Sequence, residues 1–284
     1  MRRIREGLIV ALTFLMITGC HAKDDKADAQ VRYAMVRDNF LAQNAYSFYG
    51  RTKLVTGTTT NSNLVNYSGV VQDKDVYLDV RHSYPEEKRI TTMSLLAKGP
   101  QLFSKMSSSA AWSPVHDGDF SIRQEFENWN PILNVQQMDQ MRAQVLPLRD
   151  PNTRDSLKAV RVLLDSNKMK EWLRSQVRHP QTMSTQTVHM PKLKAAFSIS
   201  DLPKHSGAAQ IQSDASKNSL DNMIDNMKLE AEYTIYYDRK QLLPTQMTMA
   251  IRSQYVYHNQ NIVEHSEIET FLRNYGKPTI LPAP

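Results

Sequence analysis

The stretch YTIYYDRKQLLPTQMTMAI, Tyr233–Ile251, carries the clearest structural pattern in the chain. Apolar or aromatic residues occupy every second position on both sides of an Asp-Arg-Lys turn at 238–240, and Pro244 opens the second run. These positions are Tyr233, Ile235, Tyr237, Met247, Met249 and Ile251. Because the side chains of a strand alternate between two faces, this period predicts two antiparallel strands that share one apolar face.

The same period of two extends outward from this hairpin. Val263–Arg273 is predicted as the third strand of a C-terminal meander. Upstream, Val76, Leu78 and Val80 alternate with more polar residues inside another series of closely spaced strands. Those strands are predicted at Ala45–Val55, Ser62–Gln72, Lys74–Ser83, Glu87–Lys98, Gln101–Met106 and Ala110–Pro114, with a further one at Ser156–Asp165. The short turns between them favour antiparallel pairing.

Apolar residues at helical spacing predict four helices around these strands. The helices are predicted at Ala29–Gln43, at Pro131–Val145, at Asn167–Val177 with Ser166 as N-cap, and at Leu220–Met227. The segment 179–218 is rich in Ser, Thr, Gln and Lys and contains one candidate strand, Leu193–Ile199. We therefore expect an α+β fold, interrupted by one long variable segment.

The N-terminus has the organisation of an export signal. Arg2, Arg3 and Arg5 precede the apolar run Leu8–Met16, which small residues follow. A run of this length is too short to span a membrane, which requires about 20 apolar residues. We therefore predict a cleaved signal peptide over residues 1–19.

The single cysteine of the chain ends this signal. The sequence Ile17-Thr18-Gly19-Cys20 resembles the lipobox of bacterial lipoproteins. The resemblance implies that a diacylglycerol is attached to the Cys20 sulfur and that cleavage occurs between Gly19 and Cys20. The alternative is an ordinary signal peptide with a coincidental cysteine. The lipobox predicts a protein bound to membrane lipid outside the cytoplasm, on the outer face of the cytoplasmic membrane and more consistent with a Gram-positive cell, with residues 20–30 as a tether.

Composition excludes several classes of function. Loss of residues 1–19 removes three arginines and one glutamate, so the net charge falls from +6 to +4. Acids are interspersed with the bases, which argues against a nucleic-acid partner. With no second cysteine, disulfides and thiolate metal sites are excluded. The nine glycines form no phosphate-binding or nucleophile-elbow motif.

Three places could carry polar chemistry, and each has a simpler interpretation. His265 and Glu267 would lie on one strand face, as two potential metal ligands without a third. Residues 116–119 (His-Asp-Gly-Asp) fit a turn better than a calcium loop. Asp73, Asp75 and Asp79 flank and line one strand. We predict no catalytic residues, no metal site and no cofactor, although an enzyme with dispersed residues remains an alternative.

The 14 methionines are numerous, and many fall on predicted apolar faces. Flexible thioether side chains adapt to variable apolar partners, but they also fill ordinary cores. If they surround a ligand, the expected lining residues are Met138, Trp172, Met223, Met227, Tyr233, Ile235, Met247 and Met249.

The whole arrangement resembles bacterial lipoproteins of the LolA/LppX type, and more specifically the small lipoproteins of bacilli and their relatives. The hairpin at Tyr233–Ile251 carries this resemblance together with ETFLRNYGKPTILPAP, Glu269–Pro284. It implies one domain over 31–284, in which a curled antiparallel sheet forms an open half-barrel with helices on its concave face.

In that family the cavity of the half-barrel holds acyl chains in carriers, and relatives such as RseB use the scaffold to sense mislocalised lipoproteins. The resemblance therefore implies a carrier or sensor that binds an apolar or amphipathic ligand. The alternative is a regulatory module that binds an envelope protein and no small ligand.

Overall fold

One antiparallel sheet of eleven strands dominates the computed structural model, which describes residues 21–56, 59–84, 88–107, 109, 111–149, 156–178, 221–257 and 260–284. The strands are β1 (Ala45–Thr56), β2 (Thr59–Gln72), β3 (Asp75–Tyr84), β4 (Arg89–Lys98), β5 (Gln101–Met106), β6 (Ser113–Pro114), β7 (Arg142–Leu148), β8 (Leu157–Leu164), β9 (Lys228–Asp238), β10 (Pro244–Tyr257) and β11 (Gln260–Arg273). The helices are α1 (His21–Leu41), α2 (Phe120–Trp129), α3 (Pro131–Met141) and α4 (Ser166–Arg178), and residues 221–226 are also helical.

The strand order is β6-β5-β4-β3-β2-β1-β11-β10-β9-β8-β7. Two meanders are therefore joined where β1 pairs with β11, near the two ends of the domain in sequence. Because β6 and β7 are the two ends of this order, the curled sheet remains open. This confirms the predicted α+β fold, a half-barrel with helices packed on its concave face.

The inner face of the sheet and the helices share one apolar cluster. Along β3, Val76, Leu78 and Val80 are buried, as their alternation predicted, and they face the helices. Trp129, at the end of α2, is fully buried in the same cluster. Removing this apolar area from water is the main favourable contribution to folding.

Two glycines let aromatic rings lie flat across neighbouring strands. Gly50 on β1 pairs with Tyr67 on β2, and Phe48 pairs with Gly69. A Cβ atom on Gly50 would lie 2.3 Å from Cζ of Tyr67, and one on Gly69 would lie 2.4 Å from Cζ of Phe48. The rings thus cover the glycines and fill the space that side chains there would occupy.

Helix α1 packs through a regular stripe. Ala29, Tyr33, Val36 and Phe40 are buried, a spacing that places them on one side of a helix. The helix begins at His21 and not at the predicted Ala29, so residues 21–30, predicted as a tether, continue as helix into the packed part.

Three further differences from the sequence prediction concern the middle of the chain. Helix α3 ends at Met141, and residues 142–145, predicted as its last turn, belong to β7. Pro147 cannot continue a helix, and pairing with β8 gives these residues their backbone hydrogen bonds. Helix α2 was not predicted. The N-cap of α4 is Asp165 rather than Ser166, because an oxygen of Asp165 accepts hydrogen bonds from the next two free amides.

Several predictions lie outside the described residues: the signal peptide, Gly19, Cys20, the segment 179–218 and its candidate strand at Leu193–Ile199. Among the residues that are described, no helix combines the length and the apolar character needed to cross a membrane.

Candidate functional site

The eight predicted lining residues lie together between the sheet and the helices. Six are members of the single core cluster, namely Met138, Met227, Tyr233, Ile235, Met247 and Met249. Trp172 and Met223 are partly buried and pack against it. We use the name interlayer for the apolar region between the inner face of the sheet and the helices, which includes all eight residues.

Strand pairing explains why the floor of the interlayer is compact. Ile235 on β9 pairs with Met247 on β10, and Tyr233 pairs with Met249. All four point to the inner face, since they occupy alternate positions of their strands. Met138 of α3 is 1% exposed in the same cluster, so both layers contribute methionines.

The interlayer is occupied by protein side chains around its largest residue. The indole of Trp129 lies 4.8 Å from the ring of Tyr67, centroid to centroid. Its Nε1 donates a hydrogen bond of 2.8 Å to Oε2 of Glu125. Close packing of this kind fits the simpler interpretation of the methionines, which is core filling.

A buried polar contact joins α2 to the inner face of β3. Oε2 of Glu125 lies 3.4 Å from Nε2 of His82, and both residues are buried. The same carboxylate oxygen accepts the hydrogen bond from the indole N–H of Trp129. Hydrogen bonding therefore compensates the desolvation of Glu125. Sequence reasoning missed this pair because its members are far apart in the chain.

A second polar cluster fastens α1 to the end of α3. Asp139 accepts hydrogen bonds of 3.0 Å from the hydroxyl of Tyr33 and 2.9 Å from Nη1 of Arg37. Nε of Arg142 lies 3.2 Å from the same carboxylate. Burial, and secondarily the negative charge of Asp139, raise the pKa of Tyr33 well above its ordinary value. The phenol therefore stays a hydrogen-bond donor at physiological pH.

Two of the clefts in the described part of the chain are large enough to consider, and none of the eight predicted residues lines either of them. The first, which we call the edge cleft, has a volume of about 340 Å³ and opens where β8 and β9 separate. Its lining residues are Leu163, Leu164, Ser166, Leu229, Glu230, Ala231, Glu232, Ala250 and Arg252.

The second cleft, of about 590 Å³, is polar and lies between α4 and residues 221–226. It is lined by Glu171, Arg174, Ser175, Asp221 and Asp225, and the guanidinium of Arg174 contacts the carboxylate of Asp225. Three of its five lining residues are acidic and one is basic, so the cleft carries an excess of negative charge.

The polar motifs singled out from the sequence have structural roles. In the turn at 116–119, Asp119 accepts a hydrogen bond of 2.9 Å from the backbone N–H of His116. Asp79 accepts one of 2.7 Å from the hydroxyl of Tyr77. His265 and Glu267 share the outer face of β11, as expected. Within the described ranges, no three His, Cys, Asp or Glu side chains come together as metal ligands do.

No family model and no curated protein matches the chain. Solved structures are similar over most of their length. LprF from Mycobacterium bovis is 10% identical, with coverage of 91% of this chain and 97% of that one and a TM-score of 0.40. The LolA superfamily protein NE2245 from Nitrosomonas europaea is 9% identical, with coverage of 89% and 94% and a TM-score of 0.24.

A domain described as an outer membrane lipoprotein-sorting protein, from Vibrio parahaemolyticus, is 7% identical, with coverage of 92% and 95% and a TM-score of 0.25. At these values the likeness concerns the fold alone.

Proposed function

We propose that the chain is an extracytoplasmic lipoprotein of a bacterial envelope, anchored through Cys20, whose half-barrel accepts an apolar or amphipathic ligand in the interlayer. The ligand would be a lipid or the acyl chain of another lipoprotein, and the protein would act as its carrier or sensor. The observation that carries this proposal is the methionine content of the interlayer.

Methionines from both layers meet there. The buried ones are Met93, Met138, Met141, Met169, Met227, Met247 and Met249. An unbranched thioether side chain has three rotatable bonds, so it can repack around an inserted chain at less cost than a β-branched residue. A core that needed no adaptation could use leucine or isoleucine at these positions, which specify a single packing more strictly.

The way the layers are joined also supports uptake. Most contacts between helices and sheet are apolar, and such contacts are non-directional, so an acyl chain of equivalent apolar area can replace them. The polar contacts at Glu125 and Asp139 lie at α2 and at the α1–α3 junction. During uptake the helices would move away from the sheet, while the polar contacts of Glu125 and Asp139 stay in place.

Ligand uptake is tested by photocrosslinking of the full-length protein to a phospholipid. Protein purified in detergent is reconstituted into phospholipid nanodiscs that contain a phospholipid with a photoactivatable group at the end of one acyl chain. We expect crosslinks on inner-face residues such as Met247 and Met249. Labels confined to the outer face, for example at Tyr49 and Phe271, or no label at all, would contradict uptake.

The anchor is tested separately. Cys20→Ala removes the only thiol of the chain, so we expect loss of metabolic labelling by palmitate and release from the membrane fraction. The urea midpoint of the protein should not change, because residue 20 precedes α1. Retention in the membrane after the substitution would refute the anchor and leave ligand binding untouched.

A second candidate function is favoured by the packing around Trp129, because the interlayer is already occupied by side chains. In this alternative the scaffold regulates an envelope protein through surface contacts and takes no small ligand. In-cell crosslinking that returns a recurrent protein partner, together with absence of lipid labelling, would select this alternative.

A further inference from the structure

Strand β8 does not pair with the N-terminal end of β9. Their pairing extends from Leu157–Asp238 to Leu163–Glu232, after which the chain enters α4. Strand β9 continues for four more residues, 228–231, which pair with β10 on one side. In the part of the chain that the structure describes, no strand pairs with them on the other side.

The edge cleft opens beside these four residues. Leu163 and Leu164 form one wall, and Leu229 and Ala231 form the other. Ala250, on the outer face of β10, also lines the cleft, and its small side chain leaves the space between the two walls open. A strand edge with a cleft beside it offers backbone hydrogen-bonding groups and space for the side chains of an added strand.

The two outermost strands of the sheet carry features that discourage pairing. Strand β6 is two residues long and ends in Pro114, and β7 contains Pro147 and packs against α1. Proline lacks the amide proton that a ladder requires. Residues 228–231 contain no proline, so each keeps the amide proton that an added strand could use, and α4 packs against the same strand.

From these observations we infer that residues 228–231 bind an extended polypeptide by strand addition, and that the edge cleft selects a segment in which apolar and basic residues alternate. The occupant is an extended segment of another protein. This inference goes beyond the proposed function, because it requires neither lipid in the interlayer nor a lipid on Cys20.

The two faces of β9 determine this pattern. Leu229 and Ala231 point to the inner face, where Leu164 also lines the cleft, so the neighbouring positions of an added strand should be apolar. Glu230 points to the outer face and is exposed, so the position opposite it should be basic. Opposite charges directly across a sheet are favourable, and like charges are not.

The existing cross-strand pairs show the same rule. Glu230 pairs with Arg252 of β10, and Nη1 of Arg161 lies 3.9 Å from Oε2 of Glu232. A basic residue of the added strand, placed opposite Glu230, would continue the alternation of positive and negative side chains that Arg252 and Glu230 begin across the sheet. An acidic residue there would face Glu230 directly.

The experiment uses the full-length protein in detergent and three fluorescent peptides. The first is Lys-Val-Lys-Val-Lys-Val-Lys, the second has the same composition in two blocks, and the third has glutamate in place of lysine. Fluorescence anisotropy should show binding of the alternating basic peptide and at least tenfold weaker binding of the other two. Hydrogen exchange should show slower exchange of the amides of 228–232 when that peptide is bound.

Two substitutions of exposed or partly exposed outer-face glutamates provide the matched test. Glu230→Lys should weaken binding of the alternating basic peptide at least tenfold, whereas Glu267→Lys, on β11 and away from the cleft, should change it less than twofold. Both positions face outward, so both variants should fold. Equal binding of the block peptide, equal effects of the two substitutions, or protection at β7 instead of β9 would each overturn the inference.

Discussion

On β3, Leu78 and Val80 have no exposed surface, whereas Asp79 and Arg81, their neighbours in the chain, lie on the opposite face of the same strand. The inner face packs against helices and excludes water. The outer face consists of hydrogen-bonded and charged pairs, such as Arg51 with Glu269 at 2.5 Å. One sheet therefore has an inner face that depends on tight packing and an outer face that tolerates substitution.

This difference has a functional consequence. A ligand that enters the inner face must displace packed side chains, whereas a partner that reaches the outer face or the edge cleft meets groups that are already accessible. Exposed ion pairs contribute little to stability, so the outer face can change its charges without loss of the fold. The four predictions below test how far the two faces differ, beginning with the largest expected effect.

Alkaline pH should unfold the protein, because tyrosines buried in the folded state ionise in the unfolded chain. Burial raises the pKa of five phenols well above their ordinary value: Tyr33, Tyr46, Tyr67, Tyr233 and Tyr275. In the unfolded chain these groups lose their protons near pH 10. Stability is therefore fully present below about pH 10 and decreases above it, by about 1.4 kcal/mol per buried tyrosine and pH unit.

The measurement is the absorbance of phenolate combined with circular dichroism between pH 8 and 12. We expect the buried tyrosines to ionise together with the loss of structure. Smooth ionisation of all tyrosines near pH 10 with the fold intact would show that the inner face is open to water.

Truncation of one inner-face side chain should have the next largest effect. Met249→Ala should lower the free energy of unfolding by about 2–5 kcal/mol, because it leaves a cavity beside Tyr233. The control is Thr248→Ala, the adjacent residue of the same strand on the outer face, with an expected change within about 0.5 kcal/mol. Urea denaturation measures both, and similar losses would remove the distinction between the faces.

Addition of a single methyl group should also distinguish tight from open positions. Gly50→Ala places a Cβ 2.4 Å from the carbonyl oxygen of Glu269 and 2.3 Å from the ring of Tyr67, so we expect a loss of about 1–3 kcal/mol. Gly118→Ala is the matched control, because no atom lies within 4 Å of its added Cβ. The midpoints of thermal unfolding should fall for the first variant alone.

The smallest effect is expected at the polar contact between helices. Asp139→Asn removes the charge shared by Arg37 and Arg142, and we expect a loss of about 1 kcal/mol. Hydrogen exchange in α1 should become faster, since Tyr33 of α1 also bonds to this carboxylate. Asp28→Asn, in an exposed pair with Arg32, should leave exchange unchanged. If Asp139→Asn left hydrogen exchange in α1 unchanged, as Asp28→Asn should, apolar packing alone would hold α1 in place.

Sequence periodicity located the strands well, because alternation is a local property. Strand β5 has its predicted bounds, and the last three strands differ from prediction by a few residues at their ends. The missed helix α2 also had a local pattern, since Ile122, Phe126 and Trp129 follow helical spacing.

Strand β7 could not be recognised in the same way. Its seven residues contain Pro147 and follow directly on α3 without a turn residue. Only pairing with β8 makes them a strand. The candidate site shows the same division. Six of the eight predicted lining residues belong to the apolar cluster and two pack against it, but the contacts of Glu125 and Asp139 and the edge cleft depend on distant segments.

The sequence by itself determined the apolar and polar faces of the strands, the fold class, and the prediction of a lipid anchor at Cys20, because each depends on the order and spacing of neighbouring residues. The tertiary structure decided which segments meet. It filled the interlayer around Trp129, and it left the N-terminal end of β9 paired on one side only, beside a cleft. These features arise from packing and from strand register across the sheet, and such long-range contacts leave no local pattern in the chain.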